Sequence, residues 1–503
     1  MKLTLTTRPL NTQAKDGWIV FVQNKKPLLT GATPLKKLLT EQIKQTNFAG
    51  SFAQTAVFPM LLSSEALAKG DGKFKTKNIV LVGLGKGSAF QTETLERAAA
   101  AAVRAGQKAG IKTIATDGTI TLKGVSETAF ARTVARGAAW GSYNFDQFKT
   151  AKKKRTAEPS LTIAGPFRNA AACRRALAEA QIESDALLST ADLANLPGNL
   201  APPQKIANWA TKMAKETGLS CSVLNKADLK KQKCNALLSV AAGSDTDAKI
   251  ITLQYKGSDK KSKPIVLVGK TITFDSGGLS LKPAKSMLWM QYDKCGGMAV
   301  LAAMKMVALL KPKASVIGIL TVAENMLNGN ATRPGDIVKS RSGKTIEILN
   351  TDAEGRLALC DALDLALTHK PAAIVDLATL TGAVIMALGH TAAAVVGNNS
   401  RLNQKLMKAA EAGGERLWEL PLWQEHKDDM KGTFADLQNI SKSNTAGTIT
   451  GGAFLSEFVP DDIPWAHIDI AGTAVEETPK AWMSPGATLF GARTLIEWIK
   501  GMD

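Results

Sequence analysis

What most constrains this chain is an alternation between short apolar runs rich in β-branched residues and longer segments of helical character. From Ala236 onward, Ile250 to Tyr255, Ile265 to Val268, Ser315 to Val322 and Ala373 to Asp376 read as buried strands. Gly296 to Leu310, Gly355 to Leu367 and Thr488 to Lys500 read as helices between or after them. Such alternation predicts an α/β domain. The first part of the chain repeats the pattern on a smaller scale. Trp18 to Val22 and Asn78 to Val82 read as strands, and Thr92 to Lys108 as an Ala-rich helix with Thr92 as N-cap and Gly110 as stop.

A basic and then polar stretch, FKTAKKKRTAEPSLT, marks the best boundary, and a helix from Ala170 to Leu188 follows it. Next come the turn-rich Asn195-Leu196-Pro197-Gly198-Asn199 and Pro202-Pro203, then a helix from Gln204 to Thr217. The expected organisation is an N-terminal α/β domain over 1–160, a linker helix over 161–190 and a larger second α/β domain over 191–503.

Several classes drop out. No apolar run approaches the ~20 residues needed to span a bilayer, so no membrane role is expected. The opening stretch MKLTLTTRPLNTQAKDGWIVFV lacks the charged-then-apolar order of a secretion signal. Five widely spaced cysteines with no C-x-x-C pair read as reduced thiols of a cytoplasmic chain. Residues 1–350 carry 51 Lys and Arg against 24 Asp and Glu, whereas 351–503 carry 12 against 20. The basic front portion, with Lys152-Lys153-Lys154-Arg155 as its tightest cluster, admits a second role with nucleic acid. A Lys-rich solvated surface explains it as well and is preferred, because no nucleic-acid-binding motif accompanies the charge. The Gly83-Leu84-Gly85-Lys86-Gly87 turn has the glycines of a phosphate loop but not the full Walker spacing.

Two segments concentrate ionisable residues just past strands, where α/β sheets build their sites. In IVLVGKTITFDSGGLSLKPAKSMLWMQYDKCGG, Lys270 ends a strand, Asp275 precedes Ser276-Gly277-Gly278, Lys282 follows, and Asp293 opens a helix. In ILNTDAEGRL, Asp352, Glu354 and Arg356 stand two apart. Four carboxylates in one crevice repel strongly unless something positive neutralises them, and two divalent cations would do so. An oxygen-rich set favours Zn²⁺, Mn²⁺ or Mg²⁺ over a soft-metal site. A lysine could join as a ligand only as the neutral amine. Taken singly, D-x-E also reads as a helix-capping pair, and Lys270 and Lys282 as surface lysines. His369, His390, His426 and His467 have no metal-ligand spacing and read as packed or surface residues.

At these segments the sequence resembles the leucyl aminopeptidase (cytosol aminopeptidase) family. Asn350-Thr351-Asp352-Ala353-Glu354-Gly355-Arg356-Leu357 matches that family's signature octapeptide without a change. The likeness extends through Val268-Gly269-Lys270, Thr273 to Gly278, Lys282, Arg333 to Asp336, Asp376 to Ala383 and Asp469 to Ala474. It implies a macro-like N-terminal α/β domain, a catalytic α/β domain with a mixed central sheet, and a homohexamer. It implies a peptidase that removes N-terminal residues, preferring apolar ones such as Leu. By the resemblance, Lys270, Asp275, Asp293, Asp352 and Glu354 hold two metal ions, Mn²⁺ or Zn²⁺, and a bridging water is the nucleophile. Lys282 stabilises the developing oxyanion, and Arg356 holds a bicarbonate that shuttles the proton. Met290 and Thr379 align with positions lining the pocket for the first side chain.

The chain departs from the family at Gln291, where a basic residue is usual, and at Lys294, where a small or apolar one is usual. Lys294 is expected to face solvent at a helix start. A metal-dead relative retained as a scaffold is the rival these two departures suggest, and the intact ligand set argues against it.

Overall fold

The computed structural model describes residues 1–30, 33–60, 75–86, 92–150, 159–259 and 262–502. Gly87 of the glycine turn and the Lys152-to-Arg155 cluster lie outside the described residues. The chain forms two compact units, Met1–Leu188 with Glu477–Pro485, and Ser189–Glu476 with Gly486–Asp503.

In the first unit the described strands are β1 (Lys2–Thr6), β2 (Lys15–Gln23), β3 (Lys26–Pro27), β4 (Thr55–Pro59), β5 (Thr76–Gly83), β6 (Thr113–Asp117) and β7 (Ser160–Ala164). They form one sheet in the order β1-β7-β6-β2-β5-β4, parallel except where β4 joins antiparallel at the edge and β3 folds back on β2. The Ala-rich helix runs over Thr92–Lys108, and the N–H of Ile111 returns to the carbonyl of Gly106 just past Gly110. The helix expected over 161–190 spans Ala170–Ala194, and residues 161–164 belong to β7.

Small side chains let the helices Thr92–Lys108 and Glu127–Gly141 approach closely, and charge then ties them. Arg136 is buried, with Nη2 2.6 Å from Glu96 and Nη1 3.8 Å from Glu183; Arg132 also pairs with Glu183.

The second unit is built on an eight-stranded mixed sheet. Its strands are β8 (Ser220–Leu224), β9 (Lys249–Tyr255), β10 (Ile265–Asp275), β11 (Val316–Asn325), β14 (Ala373–Ala378), β15 (Ala393–Gly397), β16 (Leu417–Glu419) and β18 (Trp465–Asp469). A small second sheet uses β12 (Asp336–Lys339), β13 (Thr345–Ile348) and β17 (Leu437–Gln438). The large sheet runs β16-β15-β18-β14-β10-β11-β9-β8. β18, β14, β10 and β11 form a parallel block, flanked by antiparallel neighbours β15 and β9.

The central strands are buried nearly end to end, as parallel strands covered on both faces must be. Alternation divides β10 between two helices. Val266 and Val268 share a core with Leu357 and Ala358 of the helix Glu354–Leu367. Gly269, one residue over, faces Gly297 of the helix Cys295–Leu310 so closely that a Cβ there would lie 2.5 Å from the Gly297 Cα. That second helix is apolar on every face but for Lys305, and it is buried for most of its length.

Three boundaries differ from expectation. Lys270 does not end its strand, because β10 continues to Asp275 across a break in register after Ile272. Asp293 follows a 3₁₀ turn, Met290–Tyr292, and precedes the helix that starts at Cys295. The last helix is confined to Ala492–Lys500, since Gly491 adopts a positive φ of 95°.

The buried charge cluster of the first unit yields a prediction. Arg136→Met removes from Glu96 its 2.6 Å cation and leaves Glu183 with Arg132, and should cost about 3–5 kcal/mol. Adding Glu96→Gln and Glu183→Gln should recover most of that loss. Denaturant unfolding of the three proteins checks this, and a single-variant loss below about 1 kcal/mol would contradict it.

Candidate active site

The carboxyl ends of β10, β11 and β14 meet the loop after β13 and the start of helix Glu354–Leu367. Lys270 shares the face of β10 that carries Val266 and Val268, and so points at that helix start. Its ammonium lies 2.7 Å from Asp293 Oδ1 and 2.6 Å from Glu354 Oε1, and donates to the Thr379 carbonyl at 2.8 Å. Gly355 makes room for it: a Cβ there would come within 2.7–2.8 Å of Lys270 Cε, Cδ and Nζ.

Asp275, at the end of β10, is 2% exposed. Its Oδ1 accepts from the Gly277 N–H at 2.9 Å and from Asn325 Nδ2 at 2.8 Å; its Oδ2 lies 2.9 Å from Lys282 Nζ. Lys282 also meets Asp352 Oδ1 at 2.5 Å. Gly277 has φ +88°, and a Cβ on it would press on Asp352 Oδ1 at 2.8 Å, so this turn requires glycine.

Asp275, Asp293 and Glu354 are all buried, and each offers a carboxylate oxygen within 4.8 Å of the others. Among the described residues Asp293 Oδ2 has no hydrogen-bond partner, while Glu354 Oε1 and Asp352 Oδ1 each meet an ammonium, at 2.6 and 2.5 Å. Buried carboxylate oxygens gathered within 4.8 Å of one another are the donor set of a hard cation. The residues present therefore fit one or more divalent ions.

The protonation chemistry follows the same layout. Burial, with the Glu354 and Asp275 charges added, raises Asp293 well above the usual carboxylate range. Burial and the Asp275 carboxylate push Asp352 up to about 6. Burial works against the Lys270 ammonium, but Asp293, Glu354 and Asp275 outweigh it and hold that proton more tightly than in free lysine. Lys282 is held the same way, chiefly by Asp275 against its burial. Burial lowers Arg356 to about 10.

The other expected residues lie as follows. Arg356 is buried on the helix Glu354–Leu367; its Nη1 donates to the Asn439 carbonyl at 2.7 Å, and its Nε has no partner among the described residues. Met290 is half-buried in the 3₁₀ turn before Asp293. Thr379, expected on a pocket wall, directs its hydroxyl at Asp293, donating to Oδ1 at 2.7 Å. His467 is packed: it pairs with Asp376 at 2.5 Å on adjacent strands.

Lys294 contradicts expectation. It is fully buried, donating to the Leu196 carbonyl at 2.9 Å and to the Gln291 carbonyl, with the Tyr292 ring 5.9 Å away. The helix it precedes has no solvent face at that end, so the side chain has nowhere to emerge. Burial lowers it to about 8.

Sequence reasoning missed the polar residues that hold the charged ones. Thr351 Oγ1 donates to the Gly277 carbonyl and accepts from the Ser280 N–H, joining the two candidate segments. Asn439 accepts from the N–H groups of Leu349 and Asn350. Asn325 stands opposite Asp275 in the β10–β11 register. The one usable signal was its place at the end of a strand beside the Asp275 strand.

Comparison with known proteins follows this geometry. The family model described as cytosol aminopeptidase family, catalytic domain, matches residues 189–496, and that of the N-terminal domain matches 19–152. A probable cytosol aminopeptidase of Geotalea uraniireducens is 42% identical over 433 residues, covering 86% of this chain and 87% of its own. The cytosol aminopeptidase of Pseudomonas aeruginosa is 40% identical over 446 residues, covering 88% and 86%. Among solved structures, the bottromycin maturation enzyme BotP in complex with Mn superposes with a TM-score of 0.84 at 32% identity, covering 97% of this chain and 100% of that one. Both domains match in order and relatives align over most of their length, so the chain belongs to the cytosol aminopeptidase family of metal-dependent aminopeptidases.

Proposed function

We propose that this protein cleaves the N-terminal peptide bond of peptides with apolar first residues such as Leu. Lys270 as the neutral amine, Asp275, Asp293, Asp352 and Glu354 would hold two divalent ions, Mn²⁺ or Zn²⁺. The observation that carries this reading is the buried triad of Asp275, Asp293 and Glu354, whose oxygens converge within 4.8 Å. Lys270 and Lys282 each bridge a carboxylate pair, so two cationic positions already exist in the site.

When bound, two divalent ions supply Lewis-acid polarisation and a water acidic enough to attack near neutral pH. The chain's own residues do the rest. Lys282 is the more exposed of the two site lysines and is the donor for the oxyanion that develops at the scissile carbonyl. The unpartnered Nε of the buried Arg356 leaves a donor for a small anion, in keeping with bicarbonate as the proton-shuttling base. Met290 and Thr379, on either side of Asp293, would form the wall met by the first side chain. A methionine wall suits Leu or Met. The expected domain boundaries and a cytoplasmic location, read from the basic stretch and the cysteines, complete the reading, with a homohexamer that rests on the family resemblance alone.

Two experiments test it. Chelator-stripped protein given Mn²⁺ should release the chromophore from a leucine anilide faster than from an aspartate anilide. Chelator should abolish release, and Asp275→Ala should fall to the chelated level. No turnover with metal, or full turnover by Asp275→Ala, overturns the proposal.

Gly355→Ala places a methyl group where Lys270 now lies. It should lower kcat about tenfold or more, a barrier increase of about 1.4 kcal/mol, with an unchanged circular dichroism spectrum. Unaltered kcat would show that the position of Lys270 is immaterial to the chemistry.

A further inference from the structure

We propose that Asn325 is a positioning residue that holds Asp275 and the loop bearing Asp352 at the spacing the site requires. This rests on the reading of Asp275 and Asp352 as ion ligands. Asn325 is the last residue of β11 and is 4% exposed. It pairs in register with Asp275, beyond the irregularity after Ile272. That irregularity shifts the strand register just before Asp275, and the bonds of Asn325 fix the strand end that follows it.

Its main-chain carbonyl accepts from both the N–H of Ser276 at 2.9 Å and the hydroxyl of Ser276 at 2.8 Å. Its side-chain Nδ2 donates to Asp275 Oδ1 at 2.8 Å and to the Thr351 carbonyl at 3.1 Å. Both neighbours are acceptors only, so the amide orientation is fixed by chemistry. One neutral amide thus spends both of its N–H bonds on the two segments that carry the proposed ligands.

The residue type follows from the charge already present. Aspartate would have the same shape but would set a fifth carboxylate against Asp275. Lysine would add a cation that competes with an ion. Asparagine donates without changing the charge, leaving Asp275 Oδ2 turned toward the centre of the site, where Lys282 now meets it. Partners of this kind behind ligands typically set affinity by 10–100-fold.

The test is Mn²⁺ titration calorimetry on chelator-stripped full-length protein, with melting temperature measured separately in chelator. Asn325→Leu should weaken Mn²⁺ binding about 10–100-fold. Its kcat should fall while KM changes little, and its melting temperature in chelator should stay within a few degrees. Asn325→His, whose Nδ1–H can stand where the amide N–H stands, should recover part of the affinity. If Asn325→Leu does not fold, Asn325→Ser, too short to reach both acceptors, gives the same measurement. Mn²⁺ binding by the variant as tight as the parent's overturns the proposal alone. Parent protein that takes up no Mn²⁺ overturns the ligand reading and this proposal with it.

Discussion

Like charges held close together and away from water govern this structure. Two unit charges 4 Å apart repel by about 4 kcal/mol at an effective dielectric of 20. Asp275, Asp293 and Glu354 are buried within such distances, with Asp352 at their edge. They persist because each ammonium serves two acids: Lys270 lies between Asp293 and Glu354, and Lys282 between Asp275 and Asp352. Four acids against two ammoniums leave negative charge over in a buried place. A site in that state gains from taking up more positive charge, which is the physical basis of a dependence on metal.

The fold delivers those charges through simple geometry. β10 alternates its side chains between two helices, so the residues that pack Val266 and Val268 on the helix Glu354–Leu367 also aim Lys270 at Glu354. The opposite face of the same strand rests on glycine-to-glycine contact with the helix after Asp293. Core and site are therefore set by one strand. A slip of one residue in β10 would turn Lys270 away from Glu354 as surely as it would expose Val266.

Much of this was legible in the residues. The parallel strands and enclosing helices announced themselves as apolar runs at two periodicities, and Asp275, Asp352 and Glu354 as acids just past strands. What was not legible depended on the third dimension. Lys270 looked like a strand end because Thr271 and Thr273 interrupt the apolar run, yet both are buried within β10. Lys294 looked like a solvated lysine at a helix start, and only packing reveals a helix with no solvent face there. Asn325 and Thr379 carry no charge and form no spacing pattern. Their importance lies in which carboxylate oxygen they touch.

Lys294 and Asn325 show two ways of bracing such a site, with different costs. Asn325 orients an acid through a neutral donor, so its two bonds add no charge to an already crowded centre. Lys294 fastens the Gln291 carbonyl, and with it the turn before Asp293, to Leu196 with a buried ammonium. An ammonium out of water costs several kcal/mol even when carbonyls receive it. It also lies at a helix N-terminus, where the backbone dipole opposes positive charge. Burial lowers its pKa, and its sequence neighbours Cys295 and Asp293 favour the charged form without outweighing that burial. Asp293 thus faces two ways: it offers an oxygen to the site and offsets part of the cost of the lysine beside it.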